Sequence, residues 1–221
     1  MALELPTRKF YYNRCDPNES LSPGDDRNFD IDTGETSDVR GGNVVERIAS
    51  RIELSNRPVL ELFTGLPGSG KSTELRRLAA RLKHPNRAHL LPIIVDAEEM
   101  LDLTSAIDSP DILAAIIFST ETELLRQEGK NPTDALQGSY VTRLWNWLAQ
   151  TDVRLTQGEI AIPGGTNLIL EMKTRPTLRT LVRDIIATHL TTFLAKARDE
   201  MKLLNDRARQ CGFQLKSGHI C

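Results

Sequence analysis

The chain has little cysteine. Three residues, Cys15, Cys211 and Cys221, are scattered over 221 positions. They are too few and too spread for a disulfide scaffold, and an odd count points to free thiols in a reducing compartment. Long apolar runs are missing as well. No window reaches 18 consecutive apolar residues, so no transmembrane helix is expected. The N-terminus, Met1-Ala2-Leu3-Glu4-Leu5-Pro6, has no basic segment followed by an apolar stretch. No secretory signal is therefore expected, and the location expected is cytoplasmic. An excess of one charge is also absent, since 28 basic against 30 acidic side chains leave a net charge of −2. A dedicated nucleic-acid binder carries a strongly basic domain or face, so nucleic acid is not indicated as a partner. What is present suffices for a core: the composition is 39% hydrophobic and 26% charged. That excludes a wholly disordered or fibrous chain and fits one domain with an appendage.

The order of signals along the chain predicts an α/β protein. Residues 1–38 are rich in turn chemistry, such as Ser22-Pro23-Gly24-Asp25, and predict an extended N-terminal arm with Phe10, Tyr11, Tyr12, Phe29 and Ile31 as anchors. Asn43 is a good N-cap for a helix carrying Val44, Val45, Ile48 and Ile52, which stops near Pro58. Val59 to Thr64 reads as a buried strand, and Gly65 to Gly70 as a glycine-rich turn. A helix from Lys71 to about Lys83 follows, with Leu75, Leu78, Ala79 and Leu82 on one face and Arg76, Arg77 and Arg81 on a solvated one. Leu90 to Val95 reads as a second buried strand ending at Asp96. Strand, glycine loop, helix and strand make a βαβ unit, which implies a parallel sheet.

Ser109 is expected to cap the next helix, with Pro110 at its first position, running to about Gln127. Another helix is expected over about 138–150. Residues 152–172 change to a period of two around Pro163-Gly164-Gly165, the pattern of a β-hairpin. From Thr177 to about Arg209 the pattern is helical without a break, about 50 Å at the helical rise, with His189 on its apolar stripe. The expected organisation is thus an arm (1–38), a P-loop nucleotide-binding core (39–130), a helix plus β-hairpin insertion (131–176), one long helix (177–212) and a tail (213–221).

One motif carries chemistry. Gly65-Leu66-Pro67-Gly68-Ser69-Gly70-Lys71-Ser72 matches G-x-x-x-x-G-K-[ST]. The glycines allow the backbone to curl so that successive N–H groups point inward with no Cβ in the way. The loop opens into a helix N-terminus, which favours an anion. Lys71 brings a cation to the β- and γ-phosphates, and Ser72 is placed to ligate Mg²⁺ together with phosphate oxygens. Thr73 adds an amide and a hydroxyl near the α-phosphate. Hydrolysis asks for more: a strand-end Asp on Mg²⁺ and a carboxylate for water. Asp96 follows the apolar run Ile93-Ile94-Val95 and precedes Glu98 and Glu99, but it comes directly after the loop's own helix. It reads either as a turn or N-cap residue or as a catalytic one.

The segment Phe63 to Leu78, with the motif at its centre, resembles bacterial AAA-type ATPases related to the STAND class. The likeness extends less specifically from about residue 10 to 212, through Arg40-Gly41-Gly42, Asp96-Ala97-Glu98-Glu99 and Leu144-Trp145-Asn146-Trp147-Leu148. It implies a P-loop NTPase sheet with an inserted β-ribbon, a long C-terminal helix, and Mg-ATP as ligand. In that family a Walker B strand ending in Asp follows the long helix. This chain ends about where it should start, so the resemblance implies a truncated form, makes Asp96 a second-strand residue, and leaves hydrolysis to a full-length form. Two other readings stay open: a nucleotide-dependent switch without hydrolysis, and a small-molecule kinase with Asp96 as base.

Weaker candidates stand beside these. Cys211, His219 and Cys221 are too few for a zinc site. Trp145 and Trp147 could stack on a base or pack inside. The stripe of the long helix could pack on its own domain, or serve a protein partner or self-association.

Overall fold

The computed structural model describes residues 5–14, 21–25, 27, 43–66, 68–101, 104, 106–131, 140–152 and 175–214. Eight helices are found among them: α1 Leu5–Arg14, α2 Val44–Leu54, α3 Lys71–Lys83, α4 Ala97–Met100, α5 Ser109–Gln127, α6 Tyr140–Thr151, α7 Pro176–Thr188 and α8 Leu190–Gln210. Helices take up 66% of the described residues and none of those residues lies in a strand, which overturns the expected α/β parallel sheet. The two segments read as buried strands lie in neither a helix nor a strand among the described residues. Leu60 and Leu62 are 97% and 88% exposed, and Ile94 is 61% exposed. The reason is that a strand is a paired object. An apolar run of β-branched and leucine residues makes the backbone extended, but only a neighbour across a ladder makes it a strand and covers its side chains. The β-hairpin expected at 152–172 lies outside the described residues beyond Asp152.

The chain divides into two compact units, one up to Pro92 and one from Ile93. In the first unit α2 packs on α3. Asn43 caps α2 as its sequence suggests, its side-chain oxygen accepting from the Glu46 amide at 2.8 Å. Val45, Ala49 and Leu82 are buried. Arg81 on α3 donates to Glu46 on α2 at 2.6 Å, and Arg77 pairs with Glu74 at 3.1 Å. The expected solvated arginine face is therefore partly consumed in tying the two helices together. Residues 5–14 of the arm are helical rather than extended.

The second unit is a helical cluster in which α5 packs on α6 and α8, and α7 on α6 and α8. Its core includes Ile117, Leu124, Leu148, Leu178, Val182, Phe193 and Leu204. Helix α5 starts one residue earlier than expected: Asp108, not Ser109, is the N-cap, in a reciprocal capping box with Asp111. The single long helix is also corrected, because it is two helices broken at His189, whose φ of −117° and ψ of 32° leave the helical region. Thr188 Oγ1 donates to the Asp184 carbonyl at 2.8 Å, a back-bond that bends helices. The turn of the chain puts His189 on the exposed side, not on the apolar stripe. Of that stripe Phe193, Ala197 and Leu204 are buried inside the unit, while Leu194 is 44% exposed.

Candidate functional site

The site is built in the first unit from the non-helical segment 58–66, the turn after it and the start of α3. Two left-handed glycines shape the turn, Gly68 at φ 76° and Gly70 at φ 81°. An L-residue with a side chain is strained there, so glycine is what lets the loop curl. The Ser69 amide donates to the Leu66 carbonyl at 3.2 Å. At Gly65 a Cβ would sit 2.9 Å from Ser69 Oγ and 3.5 Å from Lys71 Cδ. That slot is already filled by the side chains that the motif places across from it.

Lys71 folds back over the loop. Its Nζ donates to the carbonyls of Gly65 at 2.8 Å and Leu66 at 2.7 Å. The ammonium is thus held over the mouth of the turn, at the N-terminal end of α3. Gly70 is the N-cap of α3 and has no side chain to satisfy its first-turn N–H groups. Ser72 is exposed on that first turn. The Thr73 hydroxyl accepts from the Leu21 amide at 3.2 Å. So Gly65, Leu66, Gly68, Ser69, Gly70, Lys71, Ser72 and Thr73 are gathered into one loop and helix start. Pro67 lies outside the described residues.

These residues fit a phosphate chain with Mg²⁺. A turn whose glycines remove side chains, an uncapped helix start and an ammonium over it are the groups that could hold an anion. Magnesium at such a site takes one hydroxyl, here that of Ser72, and otherwise phosphate oxygens and water, so a cage of protein carboxylates is not required. Among the described residues no group of three or more His, Cys, Asp or Glu side chains is arranged to hold a metal ion.

Asp96 belongs to the second unit. Its Oδ1 accepts from the amides of Glu98 at 2.9 Å and Glu99 at 3.3 Å. It is the N-cap of the short helix α4, which is the structural role its sequence position allowed. Asp108 is likewise a cap. Trp145 is buried in the core, and Trp147 packs against Phe193 with ring centroids 6.2 Å apart. Both tryptophans are packing residues of the helical cluster. Cys211 is a free thiol; Cys15, His219 and Cys221 lie outside the described residues.

Sequence reasoning missed the partner of Thr73. The turn at 22–25 is legible from Pro23-Gly24, but nothing local says that Leu21 bonds to a residue 52 positions on. It also missed the charged cluster in the second unit. Glu121 Oε2 accepts from the Tyr140 amide at 2.9 Å, while Arg143 joins Glu200 and lies 3.7 Å from Glu121. Burial pushes the Glu121 carboxyl above its ordinary range, partly offset by the Tyr140 amide and Arg143. Burial, with Glu200 adding to it, also raises the Tyr140 phenol. At Glu128 burial is outweighed by hydrogen bonds from Lys130 and Arg207, which lower its carboxyl. A sequence shows the charges of this cluster but not that α5, α6 and α8 bring them together.

Compared with known proteins, the chain matches no family model, no curated protein and no solved structure. No helix among the described residues is long and apolar enough to cross a membrane.

Proposed function

We propose that residues 65–73 bind the phosphates of Mg-ATP. One observation carries the reading: the Lys71 ammonium sits on the Gly65 and Leu66 carbonyls, over a turn made by left-handed Gly68 and Gly70, at the uncapped start of α3. A triphosphate brings oxygens that compete for the same ammonium and satisfy the open amides. In this reading Lys71 neutralises the β- and γ-phosphates, and Gly68 to Thr73 supply the amide cradle. Bound Mg²⁺ supplies charge neutralisation between phosphate oxygens, and Ser72 holds it. ATP is chosen over GTP on the likeness of residues 63–78 to AAA-type ATPases, and because the chain has no Asn-Lys-x-Asp guanine-reading sequence. The proposal stops at binding, because Asp96 is occupied as a helix cap.

The test is calorimetric titration of the full chain with ATP, with and without Mg²⁺. Saturable binding that tightens with Mg²⁺ supports the reading. No heat and no displacement of a fluorescent nucleotide at millimolar ATP overturns it.

A further inference from the structure

A second segment stands beside the phosphate loop, and the motif does not account for it. The Leu21 amide donates to Thr73 Oγ1 at 3.2 Å, so the backbone at residue 21 abuts the residue that ends the motif. Leu21 leads into a tight turn: the Asp25 amide donates to the Ser22 carbonyl at 3.1 Å, and Gly24 sits at φ 85°. Pro23 followed by a left-handed glycine is the pattern of a type II turn, in which proline sets the first corner and glycine the second. The turn is braced from behind. Asp25 accepts from Arg27 Nε at 2.9 Å, from Arg27 Nη2 at 2.7 Å and from the Arg27 amide at 2.9 Å. Arg27 Nη1 in turn donates to the Arg14 carbonyl at the end of α1, at 2.9 Å. A bracket of this kind is stiff before any ligand arrives, which is what a recognition wall requires.

We propose that the turn Leu21–Asp25 is the wall against which the nucleoside half of the ligand packs, an inference that rests on reading 65–73 as a triphosphate cradle. The direction follows from the order of the motif. Lys71 would serve the β- and γ-phosphates, where Mg²⁺ held by Ser72 would add further positive charge. That leaves Thr73, next in order, at the α-phosphate. The sugar and base continue from the α-phosphate, so they leave the cradle on the side of Thr73, where Leu21 is bonded. The turn offers them the exposed Ser22 hydroxyl and the exposed ring of Pro23. The chemical class is therefore a nucleotide, distinguished from inorganic polyphosphate by this contact.

The experiment compares the full chain's affinity for ATP and for inorganic tripolyphosphate, both with Mg²⁺. Leu21→Pro removes the amide donor and leaves Thr73 intact. It is expected to weaken ATP roughly two- to tenfold, the effect of one positioning hydrogen bond, and to leave tripolyphosphate unchanged. Thr73→Val removes the acceptor together with a hydroxyl of the cradle, so it should weaken both ligands and ATP by the larger factor, with no further loss of ATP selectivity in the double variant. Thr73→Ser should restore the wild-type ratio. Equal losses for both ligands in Leu21→Pro, or no loss for ATP there, overturn the wall and leave the cradle standing. A wild-type chain that fails to bind tripolyphosphate overturns the cradle, and the wall with it.

Discussion

Replacing Lys71 with alanine takes away the ammonium that the structure holds over the loop proposed to bind phosphate. In the free protein that ammonium makes two hydrogen bonds, to the Gly65 and Leu66 carbonyls. The loop is exposed there, so each contributes only about 0.5 kcal/mol net. Binding a triphosphate breaks both and brings the ammonium to within about 4 Å of a phosphate charge, which gains about 4 kcal/mol at the effective dielectric of a protein surface. The difference, about 3 kcal/mol, is on the order of a hundredfold in Kd. Lys71→Ala should therefore weaken Mg-ATP about a hundredfold, while helix content and thermal stability barely move. Titration calorimetry with competition by a fluorescent nucleotide reads the first, and far-ultraviolet circular dichroism the second. A Kd within threefold of wild type would refute the reasoning, because a phosphate seated on this loop cannot avoid the ammonium. A large loss of helix would refute it differently, by showing that the lysine is structural.

Three further outcomes follow from other parts of the molecule. Gly70→Ala puts a Cβ on a residue at φ 81°; the strain of about 1–2 kcal/mol should shift the loop and weaken ATP even though nothing lies within 4 Å of the added carbon. Nucleotide affinity unchanged in that variant would show that the left-handed conformation is not needed. Phe193→Ala, at a residue 1% exposed and packed against Trp147, should cost about 3–5 kcal/mol in chemical denaturation of the helical unit; less than 1 kcal/mol would mean that α8 does not depend on this core. Glu121 gives a pH dependence. Burial raises its carboxyl above the ordinary 4.5, so the folded state holds the proton more tightly than the unfolded one. Stability from this group is full below 4.5 and falls as pH climbs through the window between 4.5 and the raised value. Glu121→Gln removes that decline, and melting temperatures recorded from pH 4 to 8 should fall less steeply than in the wild type; parallel curves would sink the assignment.

The elements set by near neighbours were readable from the chain. Asn43, the motif glycines and Lys71 to Lys83 give α2, the left-handed turn and α3, because caps and helical stripes are properties of residues a few positions apart. The break at His189 was not readable, since the apolar period runs through it and only the bonding of Thr188 to Asp184 marks the bend. The same boundary runs through the site. The motif by itself determined a glycine turn with an ammonium beside a helix start, since every group it needs lies within nine residues.

Tertiary structure alone decided whether the apolar runs at 59–64 and 90–95 become strands, and among the described residues they do not. Pairing is a contact between distant segments, so an extended conformation can be local while a sheet cannot. It also decided that the Thr73 hydroxyl meets Leu21 and that Glu121, Arg143 and Glu200 share one cluster. Those contacts join residues 52, 22 and 57 positions apart, a separation over which neither helical nor strand periodicity carries information.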